Sequence, residues 1–321
     1  MLKMISKMAM ALLGTVMLLS LSGCGGGGSS GTVPSSSSAV AADATATNGA
    51  EAVSTTLEGS SASSGLLAAS GDISPGLNPL YFVTKHNDLI TNIEIPSSYT
   101  LNGSIAIPLN VTENCSTSGT VTLVLNVTST SAWGTFTFNN CDDAGTFMDG
   151  AYGFSMNGDF LADSFDSMNI AFNSDFIISG YSDMLTVHNG SFLNVVYSAF
   201  DSLNNSAAGT ITSSLHFAAN GIEDGYDDLI ADFAYDYGSL PWTKTECYKG
   251  GRIYLNNMSE YLDIDTTYDP ECADPFSWSD MVLVSGSTRL IGADGTVDVS
   301  VTANDEITVT DGVNPDVILS L

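Results

Sequence analysis

The sequence predicts an all-β protein, a large antiparallel meander forming a curved sheet or a β-sandwich. Two observations predict it, and a third points to two related units within it. From about residue 79 onward, apolar and polar side chains alternate in short runs, the pattern of strands buried on one face only. Asn-Gly or Asp-Gly pairs begin at positions 102, 149, 157, 189, 220, 224, 294 and 311, and these residues tolerate the positive φ of two-residue hairpin turns. Four of the five cysteines also fall into two pairs of nearly equal spacing, at 115/141 and 247/272.

Taken in order, "TVTLVLNVT" at 120–128 puts Val121, Leu123, Leu125 and Val127 on one face. "GTFTFN" continues the period with Phe136 and Phe138, and "MNIAF" groups Met168, Ile170 and Phe172. "ADFAYDY" sets Ala231, Phe233, Tyr235 and Tyr237 against Asp232, Ala234 and Asp236. "TVDVSVT" at 296–302 and "EITVT" at 306–310 end the series. The spacing predicts roughly 14–18 strands and almost no helix. The β-rich domain spans 76–321, either as one large sheet or as two smaller units at about 76–240 and 241–321. Asn, Asp and Ser on the strand faces argue against a membrane barrel.

Residues 25 to about 75 are mostly Gly, Ser, Ala and Thr, with no aromatic residue before Tyr81. Such a segment buries too little apolar surface to offset its ordering entropy, so 24–75 reads as a flexible tether. Within it, Gly27-Gly28-Ser29-Ser30-Gly31 matches a hydrolase elbow by chance, since that motif needs a strand before it and a helix after it.

Ahead of the tether, Lys3 and Lys7 precede an apolar run from Met8 to Leu21. The run falls short of the roughly 20 residues that a spanning helix needs and has the layout of a secretory signal. It ends in Leu21-Ser22-Gly23-Cys24, which resembles the lipobox of bacterial lipoproteins. That resemblance implies a signal peptide at 1–23, removed before Cys24, and a diacylglycerol on the Cys24 thiol. The new amino terminus is then acylated with a fatty acid such as palmitate. Two or three acyl chains anchor a protein stably where one binds only marginally. Gly25 stands where an Asp commonly retains such proteins in the inner membrane, so the resemblance points to the outer membrane, with the domain facing periplasm or cell surface.

The chain carries 36 acidic and 7 basic residues, a formal charge of −29. This field repels phosphate backbones and excludes nucleic acid as a partner. High charge also keeps an exported protein soluble.

In an oxidising compartment Cys115, Cys141, Cys247 and Cys272 form disulfides. The spacing favours Cys115 with Cys141 and Cys247 with Cys272. "CSTSGTVTL" and "CYKGGRIYL" share Cys, Gly four residues on, a β-branched residue and Leu, which suggests two related units. No Cys-x-x-Cys or nearby His pair supports a zinc site.

Catalytic motifs are absent from the sequence: the three histidines, His86, His188 and His216, stand in no ligand spacing. His216 alternates with Leu215 and Phe217, which directs it to solvent. Glu223, Asp224, Asp227 and Asp228 cluster about a predicted turn and would supply oxygen ligands to calcium; no cofactor is required. Asp263, Asp265, Asp269 and Glu271 form a second acidic group. Trp133, Trp242 and Trp278 each lie within or beside a cysteine loop. They pack on the bridges or, with Tyr248 and Tyr254, form a platform for a glycan. The sequence thus reads as a lipid-anchored, non-catalytic binding or structural module of the cell envelope, with a glycan or an envelope protein as partner. The alternative is a carbohydrate-active hydrolase that uses a pair of these carboxylates.

Overall fold

A computed structural model of the chain describes residues 39–65, 107–143, 146–159, 164–180, 183–201, 206–219, 221–236, 240–241, 243–280 and 282–320. The expected signal peptide, Cys24, His86, Trp242 and the remainder of the expected tether lie outside the described residues.

The elements, in order, are β1 (Val40–Ala41), α1 (Ala46–Gly65), β2 (Ile107–Asn114), β3 (Ser118–Val127), β4 (Ser131–Asp143), β5 (Thr146–Asp159) and β6 (Ser164–Ala171). They continue as β7 (Phe176–Gly180), β8 (Asp183–Val187), β9 (Phe192–Asp201), β10 (Ser206–Ala219), β11 (Ile222–Asp236), β12 (Thr243–Leu255) and β13 (Glu260–Ile264). The last are β14 (Phe276–Ser279), β15 (Val282–Ser285), β16 (Ser287–Ile291), β17 (Thr296–Ala303), β18 (Glu306–Thr310) and β19 (Val317–Ser320). The protein is all-β in the predicted sense: every strand pairing is antiparallel except the two-residue β1 against β13.

Two long strands divide the sheet. The C-terminal half of β5 pairs with β6, and its N-terminal half with β7. β6 continues through β9, and β7 through β8, and both branches return to β10. The pairings therefore close a ring around one core. β5 bends at Gly150, whose φ of 114° only glycine adopts freely, and β10 carries a register shift between Ser213 and Leu215. Inside pack Phe136, Phe138, Tyr152, Phe154, Phe172 and Phe176, with neighbouring ring centres 5.5–6.4 Å apart, the offset and edge arrangements that aromatic quadrupoles favour.

β11 joins this ring to a second one. β12 pairs with β13 through residues 252–255 and with β14 through 243–246. One branch runs β13–β16–β17 and the other β14–β15. Val301 N–H donating to Gly286 O and Asp305 N–H donating to Leu283 O link the branches.

The interior of the second ring takes α1, which differs from the tether expected there. Thr45 caps the helix by accepting the Asn48 N–H, and Asp311 accepts the N–H of Ala46, two of the donors a helix start leaves unpaired. Ala46, Gly49, Ala50 and Val53 follow an i, i+3, i+4, i+7 stripe of small residues facing the sheet. The segment is poor in apolar mass, and its burial depends on close approach. A Cβ at Gly49 would stand 2.5 Å from Val297 Cγ1 and 2.8 Å from Val309 Cγ1. Val53 and Thr56 help to close an apolar cavity of about 50 Å³ against Tyr248, Phe276, Trp278 and Leu283.

The cysteines pair as predicted, Cys115 with Cys141 and Cys247 with Cys272, at Cα separations of 5.5 and 5.7 Å. The shared Cys/Gly pattern has a common conformation: Gly119 and Gly251 both have positive φ, and Val121, Leu123, Ile253 and Leu255 are all buried. Their partners differ, because Cys141 lies in β4 whereas Cys272 lies in the loop after β13. Not every glycine pair makes a turn. Asn189-Gly190 does, but Asp149-Gly150, Asn157-Gly158 and Asp224-Gly225 lie within strands. At Gly225 the neighbouring Leu215 O would stand 2.5 Å from a Cβ, so this glycine serves close backbone approach rather than a turn.

Candidate functional site: an uncharged outer face around Trp133

The alternation that buries one side of β3–β6, β9 and β10 sends the other outward. The register aligns those outward residues into rows across six strands. Asn126 faces Trp133, which faces Ser155, then Asn169, Asn194 and Thr212. Adjacent strands lie about 4.8 Å apart, so the row is roughly 24 Å long. Trp133 is 40% exposed. Among the described residues, no side-chain hydrogen bond engages Asn126, Ser155, Asn169, Asn194 or Thr212.

Two further rows flank this one. Ser131, Asn157, Ser167, Val196, Thr210 and Asp232 form the first, and Asn110, Val124, Thr135, Gly153, Ala171, Phe192 and Ser214 the second. The first is internally bonded, with Asn157 Nδ2 donating to Ser167 Oγ and Thr210 Oγ1 to Asp232. Asp232 is the one ionisable residue of the three rows, and Lys249 pairs with it. A chain of charge −29 thus carries an electrically balanced polar face with an indole near one end.

Of the five aromatics expected to form a platform, the structure places only Trp133 on this face. Trp278 is 6% exposed, lies beneath Lys244 and lines the apolar cavity with Tyr248. Tyr254 is 2% exposed and donates to Asp227 over 2.6 Å. Trp242 lies outside the described residues. The predicted cluster does not converge because Tyr248 and Tyr254 fall on opposite sides of β12, across the backbone irregularity at Gly250 and Gly251.

The acidic "turn" is a strand. Glu223, Asp224, Asp227 and Asp228 all lie in β11, where alternation and a positive φ at Asp228 send them to separate partners. Glu223 lies 2.8 Å from His188 Nε2, and Asp224 accepts from Thr55 of α1. Asp227 meets His216 Nε2 at 2.8 Å as well as the Tyr254 hydroxyl. Asp228 N–H donates to Ser214 Oγ. His216 is therefore half-buried and paired rather than directed to solvent. Its hydrogen bond, with that of Tyr254, holds the Asp227 carboxyl below the usual carboxylate range against the opposing effect of burial. Among the described residues, no group of three or more His, Cys, Asp or Glu is arranged to hold a metal ion.

The second acidic group is also divided. Asp263 forms a two-pronged pair with Arg252, Asp265 caps Thr267, and Asp269 accepts from the backbone of Ala273 and Asp274. These contacts brace strands and loops. The histidine–carboxylate pairs do the same, tying His188, which directly follows β8, and His216 of β10 to β11.

The outward asparagines had a sequence signal. Leu109-Asn110-Val111, Leu125-Asn126-Val127, Met168-Asn169-Ile170 and Leu193-Asn194-Val195 each set an Asn between two apolar residues. No protein-family model, curated protein or solved structure matches this chain.

Proposed function

We propose that the chain is a lipid-anchored protein of the bacterial outer membrane, acting as a non-catalytic binding module through the outer face around Trp133. The row of uncommitted amides and hydroxyls beside an exposed indole carries this reading. Side chains without internal partners are free to exchange water for a ligand, and an indole supplies apolar area at low entropic cost. The Leu21-Ser22-Gly23-Cys24 motif supports the anchor. Hydrolase chemistry has less support, because glycosidic cleavage needs two carboxylates facing across a cleft, whereas the carboxylates of Glu223, Asp224, Asp227, Asp263, Asp265 and Asp269 are divided among separate structural contacts.

The test uses the soluble Cys24→Ser protein and isolated cell envelopes. Trp133→Ala is expected to weaken envelope binding about tenfold, equivalent to roughly 1.4 kcal/mol, with the thermal midpoint unchanged. Equal binding by both proteins would overturn the assignment of the face.

A further inference from the structure

Resting on that reading of the face, we propose that its ligand is an uncharged, extended polysaccharide lying across the strands, with one sugar ring stacked on Trp133.

Three features select this class. The first is charge. Apart from the Asp232–Lys249 pair, the three rows hold no ionisable side chain, while the chain as a whole is strongly acidic. The surrounding field disfavours an anionic polymer, and the face offers no row of carboxylates to attract a cationic one.

The second is chemical match. Asn126, Asn169 and Asn194 each present a donor and an acceptor, and Ser155 and Thr212 present hydroxyls that can do either. Sugar hydroxyls have the same dual character, so such side chains can satisfy them without burying a charge. The indole of Trp133 complements the apolar C–H face of a pyranose ring.

The third is spacing. One polar side chain recurs per strand, at about 4.8 Å, close to the length of one pyranose unit in an extended chain. A polymer running across the strands meets a fresh polar group at each residue. One running along a strand would meet alternate outward residues spaced about 6.8 Å apart. A folded protein partner would gain nothing from this repeat.

Affinity electrophoresis of the soluble Cys24→Ser protein tests the proposal. The gels contain hydroxyethyl cellulose, galactomannan or alginate, at low and high salt. Retardation by a neutral polymer is expected, insensitive to salt. Trp133→Ala should weaken it about tenfold. The double variant Asn169→Ala/Asn194→Ala should weaken it at least about threefold, whereas Val313→Thr, in a distant exposed loop, should not change it. All four positions point outward, so unchanged thermal midpoints will separate lost binding from lost folding. Retardation by alginate alone, or by none of the polymers, overturns the proposal. If envelope binding still depends on Trp133 in that case, the face stands as a binding site and only the ligand class falls.

Discussion

Lys244 Nζ stands 3.0 Å from Glu246 Oε1, two residues along β12, with both side chains on the core side of the strand and almost fully buried. Trp278 lies 4.2 Å beneath the ammonium group, and the Tyr248 hydroxyl donates to the other Glu246 oxygen. Burial lowers the Lys244 pKa, and Glu246 opposes that shift.

A buried pair is costly to break because the remaining charge loses its partner but stays dry. Lys244→Met should destabilise the protein by about 3–5 kcal/mol, whereas Lys244→Met/Glu246→Leu should recover most of the loss. Chemical denaturation of the three proteins decides this. A double variant no more stable than Lys244→Met would show that the pair is not the source of the cost.

At Gly49, α1 lies close against Val297 and Val309. In an exposed helix Gly→Ala stabilises by roughly 0.5–1 kcal/mol. Here the added methyl meets Val297 and Val309, and overpacking costs typically about 1–3 kcal/mol. Gly49→Ala should therefore lower the thermal midpoint and expose α1 to limited proteolysis. Thr47→Ala, at an exposed helix position, should do neither.

Each disulfide closes a loop of about 25 residues, worth roughly 3 kcal/mol in the chain-entropy model. Cys115→Ala/Cys141→Ala and Cys247→Ala/Cys272→Ala should each lose about that much in denaturant titrations. Peptide mapping without reductant should yield only the two local links, and a peptide joining Cys115 to Cys247 would contradict the observed pairing.

Acid should act partly through Asp227. Its folded pKa lies below the unfolded value, chiefly through the His216 hydrogen bond. Its contribution is thus complete above the unfolded value of about 3.9 and is lost as pH falls through the lower folded value. The stability gap between the natural protein and Asp227→Asn should be constant down to about pH 5 and narrow below about pH 4. A gap that widens with acid would reverse the assigned sign.

The lipid anchor has its own test. Cells labelled with radioactive palmitate should label the natural chain and leave Cys24→Ser unlabelled. Label on the variant would refute acylation at Cys24.

The sequence by itself determined the all-β class, the faces of the strands and the cysteine pairs. Period-two alternation fixes which side chains turn inward, as in Leu123, Leu125 and Val127, and these are local properties of a pleated chain. It also contained the outward Asn residues, but as separate triplets. Only tertiary register set Asn126, Trp133, Ser155, Asn169 and Asn194 in one line, because alignment across strands depends on long-range pairing. Packing likewise separated the aromatics and acids that sequence proximity had grouped, since adjacent strand residues point to opposite faces. It also made a helix of a segment whose composition alone reads as a tether. Ala46, Gly49 and Ala50 carry too little apolar surface to order themselves, and they fold where Val297 and Val309 come close enough to bury them.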